Sequence, residues 1–299
     1  MKYATAAAFR TALDARFRAE ADRIDVPVDR LRKLVVFDRL LARLLAVAPQ
    51  RWVVKGGVAL ELRFGDRART TKDLDLLREP GEDAAIDDLV AAQELDLGDF
   101  FVFVIDRPQR STIVRNDVAV GFHVRVDLDG RIFDEVTIDV GIGGWLDLSP
   151  ERIDGTGLLS FAQIEQILVP AIPLGRHVAE KLHAYTRTYG MGRPSSRPKD
   201  LIDLILICST TTFLAGELGD DISAVFRARA THAIPLALPI PPAEWRSAFA
   251  VMASTVAIDS DVNGGHRLAA AFLDPVLGQT AMWGARWDVL NNSWVKPGG

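Results

Sequence analysis

Two aspartates, Asp73 and Asp75, stand two positions apart within the apolar stretch DLDLL. Alternate residues of a β-strand point to the same face of a sheet, so the two carboxylates could together bind a divalent cation and a triphosphate. Mg²⁺ takes few carboxylates and completes its shell with phosphate oxygens, and metal ions stabilise the attacking and leaving oxygens of an in-line displacement. The pair indicates metal-assisted phosphate chemistry; a solvated strand end is the alternative interpretation.

Two adjacent glycines, Gly56 and Gly57, follow the apolar stretch Trp52–Val54 and precede a predicted helix, Val58–Phe64. Because they lack side chains, their backbone N–H groups and the helix dipole can approach a phosphate. A tight turn without a ligand is the alternative. The stretch is not a P-loop, because Gly-Lys-Ser/Thr is missing and the lysine, Lys55, precedes the glycines; a Rossmann fingerprint is also absent.

A third carboxylate, Asp139, lies in the apolar stretch Val136–Val140. Strand alternation places it on one face with Thr137, while the valines and the isoleucine of the stretch take the other face. An aspartate inside such a strand is costly to bury unless a cation or a donor satisfies it. Asp139 is therefore a candidate third ligand of a metal site.

Two later helices, predicted over 175–189 and 198–209, carry polar residues beside their apolar faces. Lys181 lies at the edge of the first, and Asp200 and Asp203 lie three apart on one flank of the second. The lysine could neutralise triphosphate charge, and one of the aspartates could orient it or act as a base. An ordinary interhelix salt bridge is the alternative.

Basic residues are concentrated in two places. From Arg176 to Lys199 there are six Lys/Arg residues against one acid, Glu180, which predicts a local basic surface. The predicted helix 28–48 also carries basic residues, for which we expect a solvated face, with an RNA-facing surface as the alternative. These are Arg30, Arg32, Lys33, Arg39 and Arg43.

The elements that would position these residues change character along the chain. β-branched and aromatic runs predict strands at 100–105, 118–128 and 132–140, the last two joined by Asp129-Gly130, a hairpin signal. With the two strands already described they predict an α/β domain with a mixed sheet. Helices are predicted at 5–20, 28–48, 58–64, 82–95, 161–169, 175–189, 198–209, 215–229, 242–257 and 263–275. Pro170 and Pro173 mark the boundary, giving domains at 1–170 and 171–299.

Composition narrows the function classes. The 299 residues are 48% hydrophobic, enough for a large core, and a net charge of −5 argues against a protein that coats nucleic acid indiscriminately. The one cysteine, Cys208, excludes an intramolecular disulfide framework and a cysteine-based zinc site. The charged first twenty residues do not look like a signal peptide, and no stretch is long and apolar enough to span a membrane. We expect a cytoplasmic protein without a membrane partner.

Four blocks of residues together resemble the AbiEii/AbiGii toxin family, which comprises nucleotidyltransferase-like toxins of type IV toxin–antitoxin systems close to the mycobacterial MenT toxins. The blocks occur in the family's order, and no motif of the family is found in the last hundred residues. They are Lys55-Gly56-Gly57-x-Ala59-Leu60, Arg69-x-Thr71-x-Asp73-Leu74-Asp75, Ala179-Glu180-Lys181-Leu182 and Arg197-Pro198-Lys199-Asp200-x-x-Asp203-Leu204.

The resemblance implies a polymerase-β-like nucleotidyltransferase domain followed by a helical domain that completes the nucleotide and acceptor cleft. It implies an NTP substrate and Mg²⁺ or Mn²⁺. Residue by residue, it makes Asp73 and Asp75 the metal-binding pair, Lys181 a phosphate-contacting lysine, and Asp200 or Asp203 the last acidic residue of the site. The other nucleotide-binding residues that the resemblance implies are Lys55, Gly56, Gly57, Arg69 and Thr71.

Members of that family studied as toxins transfer nucleotides to the 3′ end of tRNA and so block aminoacylation. We therefore expect an Mg²⁺-dependent nucleotidyltransferase toxin that acts on tRNA and is paired with an antitoxin carrying a DNA-binding domain. The alternatives are transfer to a hydroxyl of a protein or small molecule, and a nucleotide-binding module that acts through a partner without chemistry.

Overall fold

The chain forms two compact units in a computed structural model. The first comprises Met1–Asp66 and Thr70–Ile172; the second comprises Arg67–Arg69 and Pro173–Gly299. The structure describes residues 1–78, 81–106, 111–114, 117–142, 149–188 and 197–296, and the side chains of all of these except 111–119.

The first unit combines four α-helices with eight strands among its described residues. The helices are α1 (Ala6–Ile24), α2 (Val28–Val47), α3 (Gly56–Phe64) and α4 (Glu82–Glu94). The strands are β1 (Trp52–Lys55), β2 (Asp73–Arg78), β3 (Phe101–Ile105), β4 (Ser111–Val114), β5 (Asp117–Leu128), β6 (Arg131–Ile142), β7 (Glu151–Asp154) and β8 (Leu168–Ala171).

All eight strands belong to one sheet, in the order β3-β5-β6-β2-β1-β8-β7, with β4 also paired to β5. Strand β2 runs parallel to β6 and antiparallel to β1, while β1 runs parallel to β8. The β5–β6 hairpin turns at Asp129-Gly130. The predicted mixed α/β sheet is confirmed, and its centre is the pair of strands that carry the glycine and aspartate blocks.

The two faces of the central strands differ sharply in character. Leu74 and Leu76 of β2 and Ile138 and Val140 of β6 are fully buried and belong to the main hydrophobic core. Helices α1, α2 and α4 contribute side chains to the same core. The residues that lie between these apolar residues along β2 and β6 are polar, so strand alternation alone separates the face that packs on the core from the face that carries the carboxylates.

The basic residues of α2 overturn the prediction of a solvated face. Arg30, Arg39 and Arg43 are only 5%, 4% and 1% exposed, and each forms an ion pair. Arg43 donates two hydrogen bonds to Asp99, at 2.9 and 2.7 Å. The periodic apolar pattern identified the helix correctly. More of the helix surface is buried than that pattern predicts, because carboxylates neutralise these arginines: Glu61 for Arg30, Asp38 for Arg39 and Asp99 for Arg43.

The helix predicted at 161–169 is wrong. A short 3-10 turn covers Ser160–Ala162, and strand β8 begins at Leu168. Apolar residues spaced three and four apart imitate a helix here, but strand pairing wins, since β8 pairs with β7 on one side and with β1 on the other.

The second unit is mainly helical. Its helices are α5 (Leu174–Thr186), α6 (Pro198–Cys208), α7 (Ala215–Arg229), α8 (Trp245–Ser254) and α9 (Val262–Leu277), and its strands are β9 (Arg286–Asp288) and β10 (Ser293–Val295). Every residue of α6 from Asp200 to Cys208 is buried, so α6 is the central helix of the unit. The helices agree with the prediction to within a few residues. Within the described ranges, no helix has the length and apolarity needed to cross a membrane.

Candidate functional site

Strand register places four residues in one row across the sheet of the first unit. Lys55 of β1 pairs with Asp75 of β2, Asp75 pairs with Asp139 of β6, and Asp139 pairs with Gly121 of β5. Paired residues of adjacent strands lie about 5 Å apart and point to the same face. The three charged residues predicted from sequence are therefore neighbours on one face, with a cation beside two carboxylates.

Asp73 extends this row along β2. It lies two residues before Asp75, on the same face, and pairs with Thr137 of β6. Asp73 and Asp139 are exposed and Asp75 is half-buried. The carboxylates thus stand on an open polar face, and solvated oxygens of this kind can bind a cation or a substrate without first breaking a buried network.

The glycine block fits against the aspartate block. Gly56 has a φ of +62°, and a Cβ built on it would coincide with the carboxylate of Asp75. A Cβ on Gly57 would lie 2.6 Å from Cβ of Thr71. Thr71 is itself buried, and its hydroxyl donates to the carbonyl of Asp73. Both glycines are required because each makes room for one residue of the next block.

Helix α3 begins at Gly56, two residues earlier than predicted, so the glycines form its first turn. Its N-cap residue, Lys55, makes no side-chain capping hydrogen bond. The first N–H groups of a helix have no partner within the helix, and together with the helix dipole they attract phosphate. The start of α3 lies directly beside the carboxylate of Asp75 and suits a phosphate group.

The space above this face is kept open by small residues that the sequence analysis did not single out. Gly121 ends the row opposite Asp139, and a Cβ on Gly141 would lie 3.8 Å from Nζ of Lys55. The lysine side chain therefore lies over the sheet next to Gly141. Glycines inside strands mark close approaches of this kind, and this signal was available in the sequence.

The acids of this face fit a divalent cation as a pair. Within the described part of the chain, no three His, Cys, Asp or Glu residues form a group that could hold a metal ion. Asp139 is thus not grouped with both Asp73 and Asp75. Two carboxylates on one strand face remain, and this is the donor set that Mg²⁺ takes when phosphate oxygens and water complete its shell.

A second cluster lies within the helical unit and joins the other predicted residues. Nζ of Lys181 lies 3.1 Å from Oδ1 of Asp200 and 2.6 Å from Oδ2 of Asp203. Arg69 donates two hydrogen bonds of 3.0 Å to Asp203. Nε of Arg197 lies 3.0 Å from Oδ2 of Asp200. The interhelix salt bridge considered as an alternative is present, extended by an arginine at each end.

The charges of this cluster stabilise one another despite their burial. Burial alone would lower the pKa of Lys181, but Asp203 and Asp200 outweigh it and the pKa is raised. Burial alone would raise the pKa of Asp203, but Lys181 and Arg69 outweigh it and the pKa is lowered. Lysine and aspartate are therefore both ionised at neutral pH.

The structure thus divides the predicted site residues into two sets. The first unit holds Lys55, Gly56, Gly57, Thr71, Asp73, Asp75 and Asp139, and the second holds Arg69, Lys181, Asp200 and Asp203. Arg197 stands in the fourth block but was not among the predicted site residues. Part of the predicted basic segment, residues 189–196, lies outside the described residues, including Tyr189 and Arg193.

A family model described as the nucleotidyl transferase AbiEii toxin of type IV toxin–antitoxin systems matches residues 39–272, which span both sets. The chain belongs to this family. As an AbiEii protein it is a nucleotidyltransferase toxin, with an NTP as substrate and an antitoxin as partner. The resemblance found in the four sequence blocks is confirmed.

The AbiEii fold is also found among solved structures. MenT4, a nucleotidyltransferase toxin from Mycobacterium tuberculosis H37Rv, matches with a TM-score of 0.55 and 18% identity, covering 87% of this chain and 93% of its own. JHP933 from Helicobacter pylori matches with a TM-score of 0.44 and 15% identity, covering 83% and 92% respectively. The similarity to MenT4 shows a shared fold. No curated protein matches the chain in sequence.

Proposed function

We propose that this AbiEii protein transfers a nucleoside monophosphate from an NTP to the 3′ end of tRNA. The oxygen of the acceptor hydroxyl attacks the α-phosphorus, the bond from the α-phosphorus to the oxygen that bridges to the β-phosphorus breaks, pyrophosphate leaves with that oxygen, and the hydroxyl proton passes to solvent water. The observation that carries the proposal is the contact of Gly56 with Asp75, because it joins a phosphate-binding helix start to a carboxylate pair. Catalysis rests on positioning and charge neutralisation.

Each residue of the first unit has a separate task in this proposal. Asp73 and Asp75 would hold Mg²⁺ or Mn²⁺, with phosphate oxygens and water as its other ligands, and the ion would neutralise phosphate charge when bound. Asp139 adds a negative charge beside Asp75 on the neighbouring strand without joining that pair of ligands. The N–H groups at Gly56 and Gly57 and the ammonium of Lys55 bind phosphate oxygens. Thr71 supports the glycine turn and the carbonyl of Asp73.

In the second unit, Lys181 and Arg69 bind the triphosphate in this proposal. Asp200 and Asp203 are the acids that pair with these cations. The unit has a net positive charge, which favours binding of a polyanion, since its two segments contain fourteen Lys/Arg residues and eleven Asp/Glu residues. A tRNA acceptor is consistent with that charge. A cytoplasmic location, where NTP and tRNA meet, and an antitoxin with a DNA-binding domain belong to the same proposal.

Substitution of Asp75 tests the chemistry. Asp75→Asn keeps the shape of the side chain but removes its charge, so pyrophosphate release and growth inhibition should fall at least a hundredfold, as for loss of a main electrostatic group. Asp154→Asn is the matched control, because Asp154 is an exposed strand aspartate of the same unit. Full activity of a folded Asp75→Asn protein would refute the proposal.

A labelling experiment identifies the acceptor. The purified protein is incubated with each α-labelled NTP and, separately, with total tRNA, lysate protein or an aminoglycoside. Label in RNA supports tRNA as acceptor, whereas label in a protein band or in the small molecule assigns a different acceptor. Binding of NTP without transfer to any acceptor would indicate a module that acts through a partner.

A further inference from the structure

The charged cluster of the helical unit is a chain of alternating signs. Along it lie Arg197, Asp200, Lys181, Asp203 and Arg69, with each contact between 2.6 and 3.1 Å. Both oxygens of each aspartate face a cation. Asp200 and Asp203 are 0% and 1% exposed, whereas the two arginines at the ends reach the surface of the unit.

This arrangement defines what the aspartates can do. A general base must reach the proton it removes and must have a free lone pair directed toward it. Here the carboxylates are buried, and three of their four oxygens accept hydrogen bonds from Lys181 or Arg69. The fourth, Oδ2 of Asp200, makes no hydrogen bond within the described part of the chain but lies 3.0 Å from Nε of Arg197. The pKa of Asp203 is lowered despite its burial, because Lys181 and Arg69 stabilise the carboxylate, which makes it a weaker base.

The cluster contains three cationic side chains and two carboxylates, so its positive charge exceeds its negative charge. Lys199 adds a fourth cation. It is half-buried, and within the described part of the chain its ammonium makes no hydrogen bond or ion pair. The adjoining segment 189–196 contains no Asp or Glu that could serve as a counter-ion. Four cations thus stand against two carboxylates.

The electrostatics around Lys199 are unfavourable in the absence of an anion. Burial lowers its pKa, and Arg197, Arg69 and Lys181 lower it further, while Asp200 compensates only in part. A half-buried lysine among like charges destabilises the protein unless a ligand neutralises it. The excess of two positive charges suits a polyphosphate better than a single carboxylate.

We propose that Lys199, Arg197, Lys181 and Arg69 form a polyphosphate-binding site in which Asp200 and Asp203 are positioning residues. The aspartates hold the cations at fixed spacing; they neither accept the acceptor's proton nor bind the metal. Assignment of the polyphosphate to an NTP rests on the proposed function, whereas the site itself does not. Phosphates of an RNA backbone are the other source of the same chemistry.

Binding of inorganic tripolyphosphate to the full chain tests the site without any transfer reaction. Isothermal titration should show that Lys199→Gln weakens binding roughly tenfold, as for loss of one charge-assisted hydrogen bond. Lys296→Gln is the matched control, because Lys296 is an exposed lysine of the same unit, and it should bind as the wild type does. Equal binding by wild type and Lys199→Gln overturns the site, whether or not the protein transfers nucleotides.

Competition identifies the source of the phosphate. An NTP that displaces tripolyphosphate, while a short single-stranded RNA lacking a triphosphate does not, assigns the site to the nucleotide. The opposite result assigns the site to the RNA backbone and separates it from the proposed NTP role. Neither outcome depends on catalytic activity.

Kinetics of Asp203→Asn and Asp200→Asn test the positioning role. A positioning residue predicts a raised KM for NTP and an unchanged shape of the pH–rate profile, since the group that titrates is elsewhere. A base predicts a large fall in kcat and loss of the acidic limb of that profile, and this result would overturn the assignment. If either variant fails to fold, Lys199→Gln still decides the site, because its side chain is only half-buried.

Discussion

Asp75 is held at the candidate site by a residue that has no side chain. The carboxylate fills the position that a Cβ on Gly56 would occupy, and Gly56 adopts a φ of +62° that favours glycine. Within the described part of the chain the Asp75 carboxylate makes no hydrogen bond, and its position depends on its fit against Gly56. Small changes at Gly56 should act on catalysis through Asp75.

Gly56→Ala should abolish transfer while only moderately reducing stability. The new methyl group must displace the Asp75 carboxylate, and the left-handed backbone adds about 1 kcal/mol of strain. Gly65→Ala is the control, because Gly65 has a φ of +63° but nothing within 4 Å of its Cβ position. Equal activity losses in the two variants, measured by pyrophosphate release alongside thermal unfolding, would show that strain alone is responsible.

A histidine pair in the helical unit makes the stability of the protein sensitive to acid. Burial, together with the neighbouring His232 and Arg187, lowers the pKa of His183 to about 4. In the unfolded chain the pKa is about 6.5. As the pH falls from 6.5 to 4, the unfolded chain binds a proton that the folded chain does not, so stability falls across that window.

Thermal unfolding between pH 7.5 and 4.5 tests this dependence. His183→Gln should lower the unfolding temperature at pH 7.5, because the ring packs against Phe226, but should give a shallower decline toward pH 4.5. The decline should not vanish, because burial also lowers the pKa of His232. His123→Gln, at a half-exposed histidine, is the control. An unchanged slope in His183→Gln would contradict the prediction.

At the scale of single residues, the sequence predicted which residues belong to the candidate site but not which of them contact one another. Strand alternation placed Asp73, Asp75 and Asp139 on one face correctly, because a period of two is a local property. It could not show that Lys181 lies between two aspartates, because that contact depends on how α5 and α6 pack. The specific function came from the order of the four blocks, since each block alone has a structural explanation.

Helix α2 is joined to the sheet by buried charge as well as by apolar packing. Arg43 hydrogen-bonds Asp99 and the carbonyl of Phe101, and its guanidinium lies 4.6 Å from the ring centroid of Phe103. These contacts fix one helix against the start of strand β3. Arg39 also lies 3.7 Å from Asp99, so loss of Arg43 would leave the buried carboxylate with only this longer ion pair.

Arg43→Met should destabilise the protein by about 3 to 5 kcal/mol, the range found when one partner of a buried pair is lost. Arg43→Met combined with Asp99→Asn should recover part of that loss, because the carboxylate that lost its two hydrogen bonds from Arg43 is also removed, while Arg39 keeps its ion pair with Asp38. Arg131→Met, which breaks the exposed pair with Asp129, should cost no more than about 1 kcal/mol. Urea unfolding measures all three, and a double variant no more stable than Arg43→Met would contradict the argument.

The elements that the sequence missed are those defined by distant partners. Long elements with a clear period were predicted well, including α7, whose bounds agree with the prediction. Strands β7 and β8 have four residues each, too few for a pattern, and β8 contains Pro170. Such strands exist because neighbouring strands provide hydrogen-bond partners, and a local pattern does not contain that information.

Charge is distributed unevenly in the whole molecule. The helical unit carries a net charge of +3 by sequence, from fourteen basic and eleven acidic residues, so the remainder carries −8 of the total of −5. The total charge argues against indiscriminate coating of nucleic acid. It did not reveal that one unit is suited to a polyanion.

If tRNA is the acceptor, its binding should depend on salt. Neutralisation of about three phosphates gives a log–log slope of about −2.7, so a fourfold rise in salt should weaken binding roughly fortyfold. Fluorescence anisotropy with labelled tRNA at several KCl concentrations measures the slope. Binding that is independent of salt would exclude a phosphate-backbone contact of this size.

The three residues Arg67–Arg69 have a consequence for how such a toxin can be recombined in evolution or in the laboratory. The chain leaves the first unit after Asp66 and returns to it at Thr70, so the helical unit is assembled from two separate pieces of the gene. A fusion that contained only residues 173–299 would lack Arg69, so the buried Asp203 would lose the guanidinium group that donates two hydrogen bonds to it. The helical unit therefore cannot be exchanged as one continuous segment. Recombination between relatives should give a folded protein only when the Arg67–Arg69 segment and residues 173–299 come from the same parent.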